Sequence, residues 1–240
     1  MNIAVIFAGG VGKRIRSKEM PKQFIEVFNK PIIIYTLEHF EFSEKIDAIV
    51  IACVEEYIDY LQSLLVKYRI NKVKAIVPGG KTGQLSIYNG LVAASKISQE
   101  DSIVLIHDGV RPLINGSVIS DCVDMTKKYG SAVTTIKQKE TIAMVDESGK
   151  IVEIPERDKL LVARAPQCFY LDDIMKCHTQ ALAEGKTNFT DSCSLMRYYG
   201  KEIYTVLGPD ENIKITTPDD YYSLRAILEA KENAQIYGLE

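Results

Sequence analysis

Apolar residues in this chain fall in short runs, separated by stretches with helical spacing. The runs at residues 3–7, 46–53, 73–77, 102–107 and 132–136 are rich in valine and isoleucine and lack polar alternation. Strands of that kind are buried on both faces, as in a parallel sheet. Between them, residues 31–40, 55–69, 84–95 and 117–129 have helical periodicity. Pro31 suits a first helical turn, and residues 217–234 read as a closing helix with Thr217 as N-cap and Pro218 at its first position. The pattern predicts an α/β fold, doubly wound around a mostly parallel sheet, with residues 1–240 as a single domain. Ligands of such sheets bind at the carboxyl ends of the strands.

Residues 137–165 break this rhythm. Two β-prone runs, 137–142 and 150–154, flank the turn-forming Asp146-Glu147-Ser148-Gly149. They predict a hairpin too polar to add to the core, a projecting β-arm at about residues 137–160.

The first predicted strand runs directly into Ala8-Gly9-Gly10-Val11-Gly12-Lys13-Arg14, and Pro21-Lys22-Gln23 follows soon after. Glycine lets backbone N–H groups approach a ligand closely. Together with Lys13, Arg14 and Lys22, such a loop suits a nucleoside triphosphate. It is neither of two commoner glycine loops. A dinucleotide fingerprint needs a third glycine, but Lys13-Arg14-Ile15 follows Gly12. A phosphate-binding Walker loop would need glycine where Phe7 stands and Ser or Thr where Arg14 stands.

Composition narrows the classes further. A chain of 240 residues with 46% hydrophobic and 25% charged residues is ordinary for a globular protein. A formal charge of −3 argues against a nucleic-acid surface and leaves the cations as a local patch. No apolar run approaches the roughly 18 residues of a membrane span, and no basic leader precedes the first strand. The expectation is a cytoplasmic protein with no membrane partner. Its five cysteines form no C-x-x-C pair and read as reduced.

The motifs together resemble those of a known family. Beyond the first loop they are Gly79-Gly80-Lys81-Thr82, Ser86, His107-Asp108-Gly109-Val110-Arg111-Pro112, Arg157-Asp158, Pro166-Gln167, Thr190-Asp191 and Asn212-Ile213-Lys214-Ile215-Thr216. In this order, over nearly the whole chain, they are similar to those of cytidylyltransferases that activate small sugar-alcohol phosphates with CTP. The resemblance implies attack by a substrate phosphate on the α-phosphorus of CTP, with release of pyrophosphate. It also implies a homodimer formed by arm exchange. Nucleophile and leaving group are already ionised, so catalysis should be positioning and charge stabilisation.

Arg14, Lys22 and Lys214 are the expected catalytic cations, with Lys214 placed in a strand between two isoleucines. Ala8, Gly9, Gly10, Gly12 and Lys13 belong to the nucleotide loop. By resemblance, Gly80, Lys81 and Ser86 line the cytosine. Asp108 is expected to accept polyol hydroxyls, and Gly109 to let the ribose approach the backbone. Arg111 either holds Asp108 or meets the substrate. Thr141 and Arg157 would reach the substrate phosphate from the partner subunit. Mg²⁺ is implied by the triphosphate, with few protein ligands.

The loop Ala8-Gly9-Gly10, Val110 and the lack of a lysine at Ala143 are closer to the branch that uses D-ribitol 5-phosphate than to the branch that uses 2-C-methyl-D-erythritol 4-phosphate. Gly83, where an arginine is usual, and Ala165 match neither branch well. The rival readings are a non-catalytic nucleotide-binding protein on the same fold and a sugar-1-phosphate nucleotidyltransferase using UTP or GTP.

Overall fold

A computed structural model of the chain describes residues 1–9 and 20–238. Strand β1 (Asn2–Ala8) leads to a small ribbon, β2 (Glu26–Val27) with β3 (Lys30–Pro31), and then to helix α1 (Ile32–Glu41). Next come β4 (Ala48–Cys53), α2 (Ile58–Lys67), β5 (Val73–Pro78), α3 (Gly83–Ser95), β6 (Ile103–Asp108) and α4 (Gly116–Tyr129). This regular alternation is the one the apolar runs predict.

The second half is less regular. It comprises β7 (Ser131–Lys137), the short strands β8 (Met144–Val145) and β9 (Ile151–Glu153), and the long strand β10 (Leu161–Tyr170). Helices α5 (Leu171–Ala183) and α6 (Ser192–Tyr198), strand β11 (Thr205–Leu207) and helix α7 (Pro218–Tyr237) complete the chain.

Seven strands form one sheet in the order β11-β7-β10-β6-β1-β4-β5. β1 pairs in parallel with β4 and β6, β4 with β5, and β11 with β7. Within this sheet, β10 runs antiparallel to both its neighbours, β6 and β7. Its sequence carries Pro166, which cannot donate to a ladder and weakens any strand signal. The register with β7 shifts between Ala163 and Gln167, around that proline.

Alternate residues of β1 face different helical layers. Ala4, Ile6 and Ala8 pack with α1, α2 and α4 residues such as Leu37, Leu61 and Ile119. Ile3 and Val5 pack with Leu91 of α3, Ile174 of α5 and Leu195 of α6. Both faces of the sheet are therefore covered, which is why its central strands are apolar throughout. Helix α7 closes a third cluster through Leu224, with Ile32, Val110 and Ile215. Thr217 caps it by accepting from the Asp220 amide, and Pro218 occupies its first turn.

The arm differs in register from the expected hairpin. Its turn falls at Asp146–Gly149 as predicted, with the Asp146 amide donating to the Lys150 carbonyl at 3.0 Å. The pairing strands are β8 and β9, however, and Lys137 belongs to the main sheet. A turn this tight pairs the residues directly beside it, so residues 138–143 become a connection. Nor is the hairpin simply polar: Met144, Val145, Ile151, Val152 and Ile154 are all at least half exposed.

Candidate active site

The site is assembled at the carboxyl ends of the parallel strands. Ala8 lies beside Cys53, and Phe7 beside Asp108, so the ends of β1, β4 and β6 are level. The loops that leave β1 and β5 nearly touch. A side chain at Gly79 would come within 3.0 Å of the Gly9 Cα, and one at Gly9 within 2.8 Å of Ser86 Oγ. Glycine at both positions permits this crossing.

Side chains then fix the loops. Gln23 Nε2 donates to the Ala8 carbonyl at 2.6 Å. Ser86 Oγ accepts from the Gly80 amide at 2.9 Å and donates to the Thr82 carbonyl at 3.0 Å. Thr82 caps α3 by accepting from the Leu85 amide. Ser86 therefore shapes the loop with its hydroxyl rather than presenting an unused polar group.

The charge centre is Asp108, buried at 5% exposure. Arg111 Nε donates to its Oδ2 at 2.7 Å, and Lys214 Nζ lies 2.5 Å from its Oδ1. Burial alone would raise the Asp108 pKa, but Lys214 and then Arg111 outweigh it and bring the pKa down to about 2. The carboxylate is therefore ionised at neutral pH. Of the two roles open to Arg111, the geometry shows the first: it holds Asp108, and its Nη1 donates to the Asn212 carbonyl at 2.9 Å.

Lys214 does not lie in a strand. Residues 212–216 form an irregular segment. It is held by the Ile215 amide donating to the Val110 carbonyl at 2.9 Å and by Asn212 Nδ2 donating to the Ala165 carbonyl at 2.8 Å. Lys22 Nζ donates to the Ile215 carbonyl at 3.1 Å. These tertiary bonds replace the ladder that the isoleucines suggested. The Lys214 ammonium also sits 5.7 Å from the Phe7 ring centroid.

Two adjoining cavities open here. The first, about 410 Å³, is lined by Ala8, Gly9, Lys22, Gly80, Lys81 and Ser86. The second, about 280 Å³, is lined by Arg111, Arg164, Gln167, Thr190 and Asp191. Phe7, Gly83, Asp108 and Lys214 line both. A side chain added at Gly83 would meet nothing within 4 Å, so the junction is open on that side.

Gly10, Gly12, Lys13 and Arg14 lie outside the described residues. Gly109 lines neither cavity; its missing side chain makes room for Ala8 Cβ, 3.1 Å from where its own Cβ would stand. The absence of a side chain here thus serves packing against β1. Thr141 is exposed on the arm. Arg157 faces a separate cleft with Lys139 and Asp210, and its Nη1 donates to the Lys139 carbonyl at 3.4 Å. Within one chain, neither of these two residues reaches the cavities.

Of three further lining residues, Arg164 carried no sequence signal, while Gln167 and Asp191 stand in the motifs Pro166-Gln167 and Thr190-Asp191. Arg164 Nη1 donates to the Asp210 carbonyl at 2.9 Å, and burial and the Arg111 charge both lower its pKa. Gln167 donates to Asp191 Oδ2 at 2.9 Å and accepts from the Cys193 amide at 2.8 Å. Asp191 in turn caps α6 in a capping box. His107 is core: burial lowers its pKa to about 3, and its Nε2 lies 3.2 Å from the Arg111 carbonyl. Among the described residues no three His, Cys, Asp or Glu side chains gather to hold a metal.

Comparison with known proteins agrees with this geometry. The family model IspD, 2-C-methyl-D-erythritol 4-phosphate cytidylyltransferase, matches residues 2–230. A ribitol-5-phosphate cytidylyltransferase of Streptococcus agalactiae serotype V is 51% identical over 239 residues, covering 100% of both chains. One from Vibrio parahaemolyticus is 50% identical, covering 99% of this chain and 100% of its own. A 2-C-methyl-D-erythritol 4-phosphate cytidylyltransferase of Clostridium botulinum is 40% identical, covering 95% and 97%. The crystal structure of 4-diphosphocytidyl-2C-methyl-D-erythritol synthase from Anaerococcus prevotii superposes with a TM-score of 0.83 at 28% identity, covering 95% and 96%.

Proposed function

This chain belongs to the IspD family of cytidylyltransferases, and on that footing we propose that it transfers CMP from CTP to D-ribitol 5-phosphate, giving CDP-ribitol and pyrophosphate. The observation that carries the reading is the shared wall of the two cavities, where Lys214, paired to Asp108, faces both. A group-transfer site needs two anions side by side with fixed positive charge where they meet. The larger cavity suits the nucleotide and the smaller the alditol phosphate. Ribitol is favoured because full-length relatives at 50–51% identity carry that name. Relatives named for methylerythritol phosphate stand at 40–41%, and that substrate is the second reading.

The reaction joins a phosphate oxygen of the alditol phosphate to the α-phosphorus and breaks its bond to the bridging oxygen of pyrophosphate. Lys22, Lys214 and Arg14 stabilise the charge that spreads over the five-coordinate phosphorus. Backbone amides of the loops at Gly9 and Gly80 hold the triphosphate and the base. Asp108 keeps Lys214 and Arg111 in place and offers its remaining lone pairs to hydroxyl groups. Its carboxylate is already engaged by two cations, so the chain's residues fit a Mg²⁺ ion carried on the triphosphate rather than a protein cage. When bound, that ion supplies charge neutralisation of the phosphates.

The exposed apolar faces of β8 and β9 support a dimer formed by exchange of arms. In such a dimer Thr141 and Arg157 complete the partner's alditol-phosphate site. We assign the reaction to the cytoplasm: none of the five cysteines is paired, and among the described residues no helix is long and apolar enough to cross a membrane. Pyrophosphate release measured with each of the four common nucleoside triphosphates tests the assignment. CTP alone should support fast release in the presence of the alditol phosphate.

A further inference from the structure

The smaller cavity has an inner end that the reaction leaves unused. Beyond Asp108 and Arg111 it is lined by Gln84, Ile87, His178, Phe189 and Ser192. His178, on α5, is 1% exposed, and Ser192, the first residue of α6, is 3% exposed. Neither ring nitrogen of His178, nor the Ser192 hydroxyl, finds a hydrogen-bond partner among the described residues. Buried polar atoms are paired almost without exception, and each that is not calls for an explanation. Here the two side chains that carry three such atoms are both among the residues that line one small cavity.

The other polar groups at this end are already engaged. Gln84 donates to the Lys186 carbonyl at 2.9 Å and accepts from the Phe189 amide at 2.8 Å. Asp191 and Gln167 bond each other and the start of α6. What remains is an imidazole and a hydroxyl. Burial holds the imidazole neutral down to about pH 4, so it offers one donor and one acceptor. Such a pair matches hydroxyl groups, and Ile87, Phe189 and Leu195 supply apolar wall for the carbons between them.

We infer that His178 and Ser192 form a hydroxyl-binding subsite at the inner end of the smaller cavity and determine which alditol phosphate the enzyme accepts. The inference rests on the proposed reaction. The phosphate stays at the junction with Lys214, and the hydroxylated carbon chain runs inward. Gly83 leaves the junction open, and Ala165 adds only a methyl group to the cavity wall. A shorter or less hydroxylated alditol would leave His178 and Ser192 unpaired, which is how a buried polar site rejects an analogue.

The test is steady-state kinetics with CTP and D-ribitol 5-phosphate on wild type, His178→Leu, His178→Gln and Ser192→Ala. His178→Leu should raise KM for ribitol 5-phosphate by about 10–100-fold, the effect of leaving a buried hydroxyl unpaired. KM for CTP should stay within about twofold. Ser192→Ala should show the same split at about 3–10-fold, and His178→Gln, which keeps a donor and an acceptor, should recover most of the loss. If KM for the alditol phosphate is unchanged in both His178→Leu and Ser192→Ala, or moves equally with that for CTP, the subsite does not exist. A second measurement on unmutated protein covers variants that fail to fold. The ring ¹⁵N signals of His178 should shift on adding ribitol 5-phosphate and not on adding CTP, and no shift overturns the inference. Absence of any CDP-alditol product from wild type would instead defeat the proposed reaction, leaving the ¹⁵N titration to judge the subsite alone.

Discussion

Lys22 donates its Nζ hydrogen to the carbonyl oxygen of Ile215 at 3.1 Å, across 193 residues of chain. The contact ties the segment after the first loop to the residue that follows Lys214, whose own ammonium is fixed on Asp108. Two lysines distant in sequence are thereby held at one junction. If Lys22 stabilises the transition state, Lys22→Ala should lower kcat by about 10²–10³, comparable to losing one strong oxyanion donor. The melting temperature should change little, because Lys22 is only partly buried. Retention of more than roughly a third of the wild-type kcat would remove it from the mechanism.

Asp108 faces two cations, so its removal should cost stability as well as rate. Asp108→Asn leaves Arg111 and Lys214 without their counter-charge. A broken buried pair costs about 3–5 kcal/mol, but the Lys214 side chain is 40% exposed and solvent screens part of that. The expected loss is roughly 2–3 kcal/mol in urea unfolding, with activity falling in parallel. A variant as stable as wild type would mean that the two ion pairs contribute nothing net.

Acid should weaken the fold through its buried histidines. Burial lowers the pKa of His178 to about 4 and that of His107 to about 3. Below pH 6.5 the unfolded chain protonates these rings while the folded chain does not, so it binds more protons and stability falls with pH. The loss should run from about pH 6.5 down to 4 for His178 and on towards 3 for His107. Each unit corresponds to about 1.4 kcal/mol. Asp108, with its depressed pKa, adds its own loss only below about pH 4. His178→Leu should flatten the upper part of the curve, as read by melting temperature against pH; an unchanged slope would show that His178 contributes nothing to it.

How much of this was legible in the sequence depended on whether local chemistry decided the outcome. Strands β1, β4, β5, β6 and β7 and the helices between them followed from runs of Val and Ile, because burial on both faces leaves that mark directly. The glycine loops were legible too, and the crossing of Gly9 over Gly79 gives a physical reason for two of those residues. β10 was not, since Pro166 and Arg164 interrupt its apolar pattern and its pairing is tertiary. Lys214 was expected in a strand because isoleucines flank it, yet long-range bonds from Lys22 and Asn212 hold that segment. For Gly109, read from the sequence as facing the ligand, the structure adds a packing reason in its neighbour Ala8. His178 and Ser192 carried no signal, because nothing local distinguishes a core histidine from one that lines a cavity.

The arm can be tested by complementation. If residues 137–160 cross to a neighbour, Arg157 acts in a site whose Lys22 belongs to the other chain. Mixing inactive Lys22→Ala with inactive Arg157→Ala then creates heterodimers with both lesions in one site and an intact second site. Random exchange of two equal pools makes about half the dimers mixed, so roughly a quarter of all sites should recover. A mixture that stays inactive after exchange is confirmed by native mass spectrometry would place Arg157 in its own subunit's chemistry.

CMP transfer from CTP to an alditol phosphate is read directly by a product matrix. Each of CTP, UTP, ATP and GTP is incubated with D-ribitol 5-phosphate or 2-C-methyl-D-erythritol 4-phosphate, and the nucleoside-diphospho-alditol is identified by mass. CDP-ribitol should be the main product, with kcat/KM for CTP at least about 10² above that for ATP or GTP. Equal product from UTP or GTP, or no CDP-alditol from any pair, would contradict the proposed transfer.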